Sequence, residues 1–162
     1  MDPVTEPAIR ASFVNCSKGA ARRLAVPADL DAQPWPDLDF LGWTEPGAPD
    51  RAHLVVPSEV GLVGVTLRRG NGGHRRAQVC AACLTHHAAG GVALMAATKA
   101  GAAGRRGNSV GIYLCADLDC SLYARRRKRP ALGRAHRDEF LVADRVEHVR
   151  TTVAAFLARV RG

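Results

Sequence analysis

Two stretches decide the fold: Val79-Cys80-Ala81-Ala82-Cys83, and Gly107-Asn108-Ser109-Val110-Gly111-Ile112-Tyr113-Leu114-Cys115-Ala116-Asp117-Leu118-Asp119-Cys120-Ser121. Their cysteines read C-x2-C, 31 intervening residues, then C-x4-C. Two close pairs a few tens of residues apart are how a chain surrounds one tetrahedral metal ion. Each short spacing lets two sulfurs of one turn point at the same place, and the long insert lets a hairpin close over the site. One structural zinc ion is expected, held by Cys80, Cys83, Cys115 and Cys120. Four thiolates leave no position for water, so such a site stabilises a fold and performs no hydrolysis.

The order of parts is a knuckle, a hairpin, then ligands at a helix start, which is the layout of a treble-clef zinc finger. Cys80 and Cys83 belong on a tight turn and Cys115 at the end of the second hairpin strand. Cys120 falls in the first turn of the next helix, where free backbone N–H groups can help a thiolate. Arg75, Arg76 and Arg125 are near enough in sequence to offset the charge of the cluster. His86 and His87 follow Cys83 closely. Either could replace a cysteine as ligand, but four cysteines suffice, so they read as surface or second-sphere groups.

Outward from the cysteines, Val92–Thr98 and Ser109–Leu114 form one hairpin, with Gly101, Gly104, Gly107, Arg105 and Arg106 in its connection. Ala52–Val56 and Gly61–Arg68 form another, because Val63, Val65 and Leu67 alternate with small or polar residues. Residues 69–73 make a Gly-rich turn into the first cysteine pair. A helix is expected from about Leu118 to Lys128, stopped by Pro130, with Asp117 and Asp119 capping it. The clearest helix runs from Asp138 to about Arg161, where Val142, Val146, Val149, Val153, Phe156 and Val160 draw an apolar stripe.

The first half is less regular. A short helix over 5–14 is capped by Thr5, with Ile9 and Phe13 on one face. Asn15-Cys16-Ser17 breaks it, and a second short helix covers about 18–25 with Ala21 and Leu24 inward. Pro27, Pro34 and Pro36 then exclude regular helix. Trp35, Phe40 and Trp43 read as core rings rather than a binding surface. Cys16 has no near partner and reads as an ordinary small buried residue. The fold class is thus α+β: small antiparallel β-hairpins, a treble-clef zinc finger and a long C-terminal helix. The chain divides into an N-terminal α/β part over 1–68 and a zinc module with its helix over 69–162, packed as one compact unit.

The net charge is +8 over 162 residues, and it is uneven. Residues 1–66 hold 5 Lys or Arg against 9 Asp or Glu, whereas residues 67–137 hold 14 against 2. The cysteine module is therefore the basic end and seeks an acidic partner, either nucleic acid or an acidic protein face. No apolar run is long enough to span a bilayer, and residues 1–20 read as lacking a secretory signal. The chain is expected in the cytoplasm, where paired cysteines are metal ligands rather than disulfides. No nucleophile–base pair or phosphate loop stands out, so neither an enzyme nor a small-molecule substrate is expected.

With Ser12-Phe13-Val14-Asn15-Cys16-Ser17-Lys18-Gly19 and Asp37-Leu38-Asp39-Phe40-Leu41-Gly42-Trp43 added to the cysteine stretches, the chain resembles the FusB/FBP family in its actinobacterial branch. These are elongation factor G-binding proteins with a C-terminal treble-clef zinc finger. The resemblance implies a binding protein of translation that engages elongation factor G and helps release it from the ribosome when fusidic acid stalls it. It implies zinc ligation by the four cysteines and binding by a basic residue matched by Arg106, just before Gly107-Asn108. Staphylococcal members carry Tyr after that pair, where Ser109 stands here, and a longer N-terminal helical bundle. The candidate partner-binding residues are Lys99, Arg105, Arg106, Asn108, Ser109, Tyr113, Arg125, Arg126 and Arg127. The other reading is an RNA- or DNA-binding zinc finger that uses the basic face, with Tyr113 and Tyr123 stacking on bases and Arg125–Arg129 near phosphates.

Overall fold

A computed structural model describes residues 1–70, 76–131 and 140–162. The expected turn at 71–73, Arg75 and a helix start at Asp138 lie outside the described residues. In chain order the elements are α1 (Glu6–Ala11), α2 (Lys18–Arg23), β1 (Leu41–Glu45), β2 (Ala48–Ser58), β3 (Gly61–Arg69), β4 (Gln78–Val79) and β5 (His86–His87). They continue with β6 (Val92–Thr98), α3 (Gly101–Arg105), β7 (Ser109–Cys115), α4 (Cys120–Ala124) and α5 (Val142–Arg161). The mixed α+β class and the long terminal helix are as expected. No helix among the described residues is long and apolar enough to cross a membrane.

The two hairpins are not separate. They join β1 in a five-stranded antiparallel sheet of order β1-β2-β3-β6-β7. The sheet runs through residues 68 and 69, where Arg68 pairs with Ala96 and Arg69 with Met95. Alternation along the strands sends Leu54, Val65, Leu67, Met95 and Leu114 to one face, where α5 covers them with Val149, Val153, Phe156 and Val160. The four cysteines belong to this same core. On the other face Ile9, Trp35, Leu38, Leu41, Trp43 and Val55 form a smaller core under α1 and the Pro-rich segment. The aromatic stretch thus fills a core, and it supplies β1 as well.

Local chemistry explains the short elements. The Thr5 hydroxyl accepts from the Ala8 N–H and starts α1, and Ser17 accepts from Ala20 and starts α2. Between them Asn15 leaves the helix to serve the sheet. Its amide bonds the Thr66 N–H, the Thr66 carbonyl and the Thr98 carbonyl. This ends α1 at Ala11 rather than near residue 14. Cys16 is only half-buried, not enclosed as expected.

The helix expected over 118–128 is a single turn, Cys120–Ala124. Arg126 takes a left-handed φ of 58°. The N–H groups of Arg127 and Lys128 both return to the Leu122 carbonyl, which closes the turn. The basic run 125–129 therefore emerges from a turn and not from a helix face. Conversely, the Gly-rich connection at 101–107 contains the short helix α3.

Candidate metal centre

Each ligand position follows from the local fold. The knuckle Cys80–Cys83 closes with the Leu84 N–H on the Cys80 carbonyl and the Cys80 N–H on the Thr85 carbonyl. The small ribbon of β4 and β5 pins its base, with Gln78 opposite His87. Cys115 ends β7, and Cys120 opens α4. Two leucines in these turns adopt left-handed backbone, Leu84 at φ 58° and Leu118 at φ 63°. Such a conformation costs a branched residue about 1–2 kcal/mol, so the surrounding structure must hold the turns in place.

The four sulfurs lie within 4.8 Å of one another and all four residues are buried. Cys80 Sγ is 3.7 Å from Cys120 Sγ, and Cys83 Sγ is 3.4 Å from Cys115 Sγ. A tetrahedral zinc ion with bonds of about 2.3 Å needs sulfurs about 3.8 Å apart. The donor set, its burial and its spacing fit one zinc ion with no place for water. By themselves four adjacent thiols resist ionising together. Hydrogen bonds from Cys115, Cys80 and Cys83, with complete burial, push the Cys120 thiol well above its ordinary range. A dication is what permits four thiolates in one buried spot.

The groups around the sulfurs are Thr85, His87 and Arg145. Thr85 Oγ1 is 3.2 Å from Cys83 Sγ, and His87 Nε2 is 3.3 Å from Cys115 Sγ. His87 thus touches Cys115 from outside the set of four sulfurs, the place of a second-sphere contact. Its buried ring stands edge-on to Tyr123, with centroids 4.7 Å apart. Arg145 of α5 is 2% exposed. Its Nε and Nη2 donate to the Cys83 carbonyl at 2.9 and 2.8 Å, and Nη2 also donates to Thr85 Oγ1. Thr85 Oγ1 thus accepts from both Arg145 and the Cys83 thiol; against a zinc-bound thiolate its O–H would be the donor. His148, one turn along, lies 3.1 Å from the Ala81 carbonyl. The terminal helix therefore clamps the knuckle.

Several expected roles move. Arg125 does not face the sulfurs. It makes a two-pronged bond to Asp39, and Arg150 Nε donates to the same carboxylate at 2.8 Å. Burial opposes charge on Asp39, but the bonds from Arg125 and Arg150 outweigh it and hold the carboxyl below its usual range. Arg76 is exposed. Asp119 occupies the position before α4 without a side-chain cap bond. Instead Lys128 Nζ sits 2.9 Å from Asp117 and 2.5 Å from Asp119, while the Tyr123 hydroxyl donates to Asp117. Tyr123 is buried and packs; Tyr113 is exposed.

The partner-binding candidates separate into two groups. Arg105, Arg106, Asn108 and Ser109 are exposed around the α3–β7 turn, with Lys99 half-buried beside them. Arg125, Arg126 and Arg127 lie beyond α4, at the cysteine end. Seven residues of β7 separate the groups, about 20 Å of strand. Arg127 is 3.3 Å from Asp37, and Arg126 reaches the Phe140 carbonyl.

A family model described as the FBP C-terminal treble-clef zinc-finger matches residues 8–160. No curated protein matches the sequence. Among solved structures, that of the fusidic acid resistance protein FusC aligns with 61% of this chain at 14% identity and a TM-score of 0.47. The aligned region is 45% of that chain, so the present sequence corresponds to less than half of its length.

Proposed function

The chain belongs to the FBP C-terminal treble-clef zinc-finger family, and from that membership we propose that it is a non-enzymatic binding protein of translation, one that engages elongation factor G through its zinc module and modulates release of the factor from the ribosome. The closed four-thiolate centre suits this reading, because it offers no open coordination position for catalysis. Zinc acts as scaffold, and the contacts come from the basic surface around it.

The observation that carries the reading is the braced arginine turn between α3 and β7. The Lys99 N–H bonds the Asn108 carbonyl, the Asn108 N–H bonds the Ala103 carbonyl, and the Ala100 N–H bonds the Val160 carbonyl of α5. Gly104 packs so tightly that a Cβ there would fall 1.7 Å from the Lys99 carbonyl oxygen. Arg105 and Arg106 thus project from a rigid turn into solvent. Structural arginines seldom sit on such a turn, whereas contact residues often do. The surrounding module carries 14 basic and 2 acidic residues over 67–137, which suits an acidic face of a GTPase factor.

Pull-down from lysate with and without nuclease, followed by calorimetry with purified elongation factor G, tests the reading. Arg105→Glu combined with Arg106→Glu is expected to weaken binding more than tenfold while zinc content stays at one per chain. Unchanged affinity removes the turn from the interface. Recovery of nucleic acid alone, with no factor retained after nuclease, overturns the function.

A further inference from the structure

Among the described residues, α1 and α2 cover only part of one face of the sheet, and the rest of that face has a chemical order. The register places Arg51, Arg68, Ala96 and Gly111 in one row across β2, β3, β6 and β7. Leu94 and Tyr113 pair in the next row. Thr66 and Thr98, on the other side, lie under Asn15. Between α2 and the first row opens a cavity of about 480 Å³, lined among others by Cys16, Arg23, Arg51, Arg68, Glu45 and Asp50.

Charge gathers at one end of this trough. Arg51 and Arg68 stand directly opposite each other on neighbouring strands, an arrangement of like charges that weakens a sheet unless an anion lies between them. Arg51 bonds Glu45 at 3.2 Å and Arg68 is 3.7 Å from Asp50, yet the two arginine side chains remain 58% and 85% exposed. The side chain of Arg23, on the α2 wall, makes no hydrogen bond or ion pair among the described residues. Away from Glu45 and Asp50 the trough has no fixed negative charge, because residues 60–116 contain no Asp or Glu.

The other end is apolar and flat. Ala96 and Gly111 form a shallow floor. Leu94 lies down over Gly111, where a Cβ would come within 2.9 Å of Leu94 Cδ1. Leu94 and Tyr113 are 37% and 40% exposed, the largest outward apolar surface on these strands. From Arg68 to Tyr113 is two strands across and two residues along, about 12 Å. Guanidinium groups, then a small-residue floor, then an exposed ring is the order in which a single strand is held, with phosphates at the cations and a base on the aromatic face. An acidic protein segment would use the arginines but gain nothing from Leu94 and Tyr113.

We propose that this trough is a docking site for single-stranded RNA, with backbone phosphate at Arg23, Arg51 and Arg68 and a base stacked on Tyr113 over Leu94. It lies beside the α3–β7 turn and does not depend on the partner assigned to that turn.

The test uses the nuclease-treated, zinc-loaded chain and a fluorescein-labelled 12-nucleotide oligouridylate, read by anisotropy across a salt series. Three neutralised phosphates give a slope of log affinity on log salt of about −2. Arg68→Glu should weaken binding at least tenfold and make the slope shallower. Tyr113→Ala should weaken it about tenfold and leave the slope unchanged. Both side chains are on the surface, and circular dichroism checks that each variant is folded. Cys16 gives a reading of position. Saturating oligonucleotide should slow its alkylation at least threefold, because its thiol lines the trough. No binding at low salt overturns the proposal, as does binding that neither variant alters. Equal competition by a decaglutamate peptide would make the trough a seat for acidic protein, and this too would overturn it.

Discussion

At the scale of single residues, the centre depends on a side chain that carries charge through an apolar stripe. Arg145 lies three residues after Val142 and four before Val149, so it faces inward with them, and it is 2% exposed. A buried guanidinium is tolerable only when its donors are met. Here they hold the Cys83 carbonyl and Thr85. Reading the stripe as a run of valines hides this, although the spacing alone puts position 145 on the buried side. Arg145→Met keeps the stem and removes the donors, leaving the carbonyl of a ligand residue unserved. Stability should fall by about 2–4 kcal/mol in urea unfolding, and zinc should pass faster to a chromogenic chelator. If neither changes, Arg145 does not brace the knuckle. His53 is a second buried polar residue. It is fully buried between Trp43 and Phe13, with Nε2 3.0 Å from Glu45 and, among the described residues, no partner on Nδ1. Burial pushes its imidazole below the usual value of about 6.5; Glu45 pulls the other way and Arg51 adds to the lowering. The folded chain therefore holds fewer protons on this group than the unfolded chain once the pH drops below about 6.5. This contribution is complete above that pH and is lost as the pH falls from there toward the lowered value. His53→Gln, which does not titrate, should lose less stability than the parent between pH 7.5 and 5.5. Equal losses would show that His53 is not responsible.

At the scale of elements, what was legible was what local pattern encodes. Cysteine spacing located the knuckle, the strand end and the start of α4. Val- and Leu-rich runs, alternating at Val63, Val65 and Leu67, located β2 and β3; the hairpin about the Gly-rich connection located β6 and β7, and periodicity located α5. What escaped is written in contacts between distant residues. β1 reads as an aromatic stretch with Gly42 inside it, and its reason is tertiary. A Cβ at Gly42 would lie 2.7 Å from Leu118 Cβ, so the strand presses on the turn between the second pair of cysteines. Arg125 read as an outward contact because its partner, Asp39, is 86 residues away. The Asp39 N–H also donates to Ser121 Oγ. One residue of the Pro-rich segment thus ties β1 to both α4 and α5. Asp39→Asn preserves shape but takes the charge from between two guanidinium groups. The expected cost is about 2–3 kcal/mol in urea unfolding, with zinc retained. A loss below about 0.5 kcal/mol would mean that Arg125 and Arg150 find equivalent partners in water.

At the scale of the whole molecule, the metal centre and the sheet share one core. The four cysteines share their core with the inner faces of β2, β3, β6 and β7 and with α5. Here the pairing of β3 with β6 at Arg68–Ala96 and Arg69–Met95 and the contacts from Asp39 to α4 and α5 are expected to make the two halves unfold together. A structural zinc contributes about 10 kcal/mol to folding, comparable to the 5–15 kcal/mol net stability typical of a domain. Removing it should leave the entire sheet near its folding midpoint. Chelation at neutral pH should then cut the folded far-ultraviolet dichroism by about half or more and, in the same transition, shift the emission of Trp35 and Trp43 to the red, although both rings are buried in the smaller core. Restoring zinc should recover both signals together. Cys115→Ser should reproduce the chelated state. If the tryptophan signal survives while the dichroism of α5 is lost, the two halves fold separately. If the thermal midpoint is the same with and without metal, the four cysteines are not what holds this fold together.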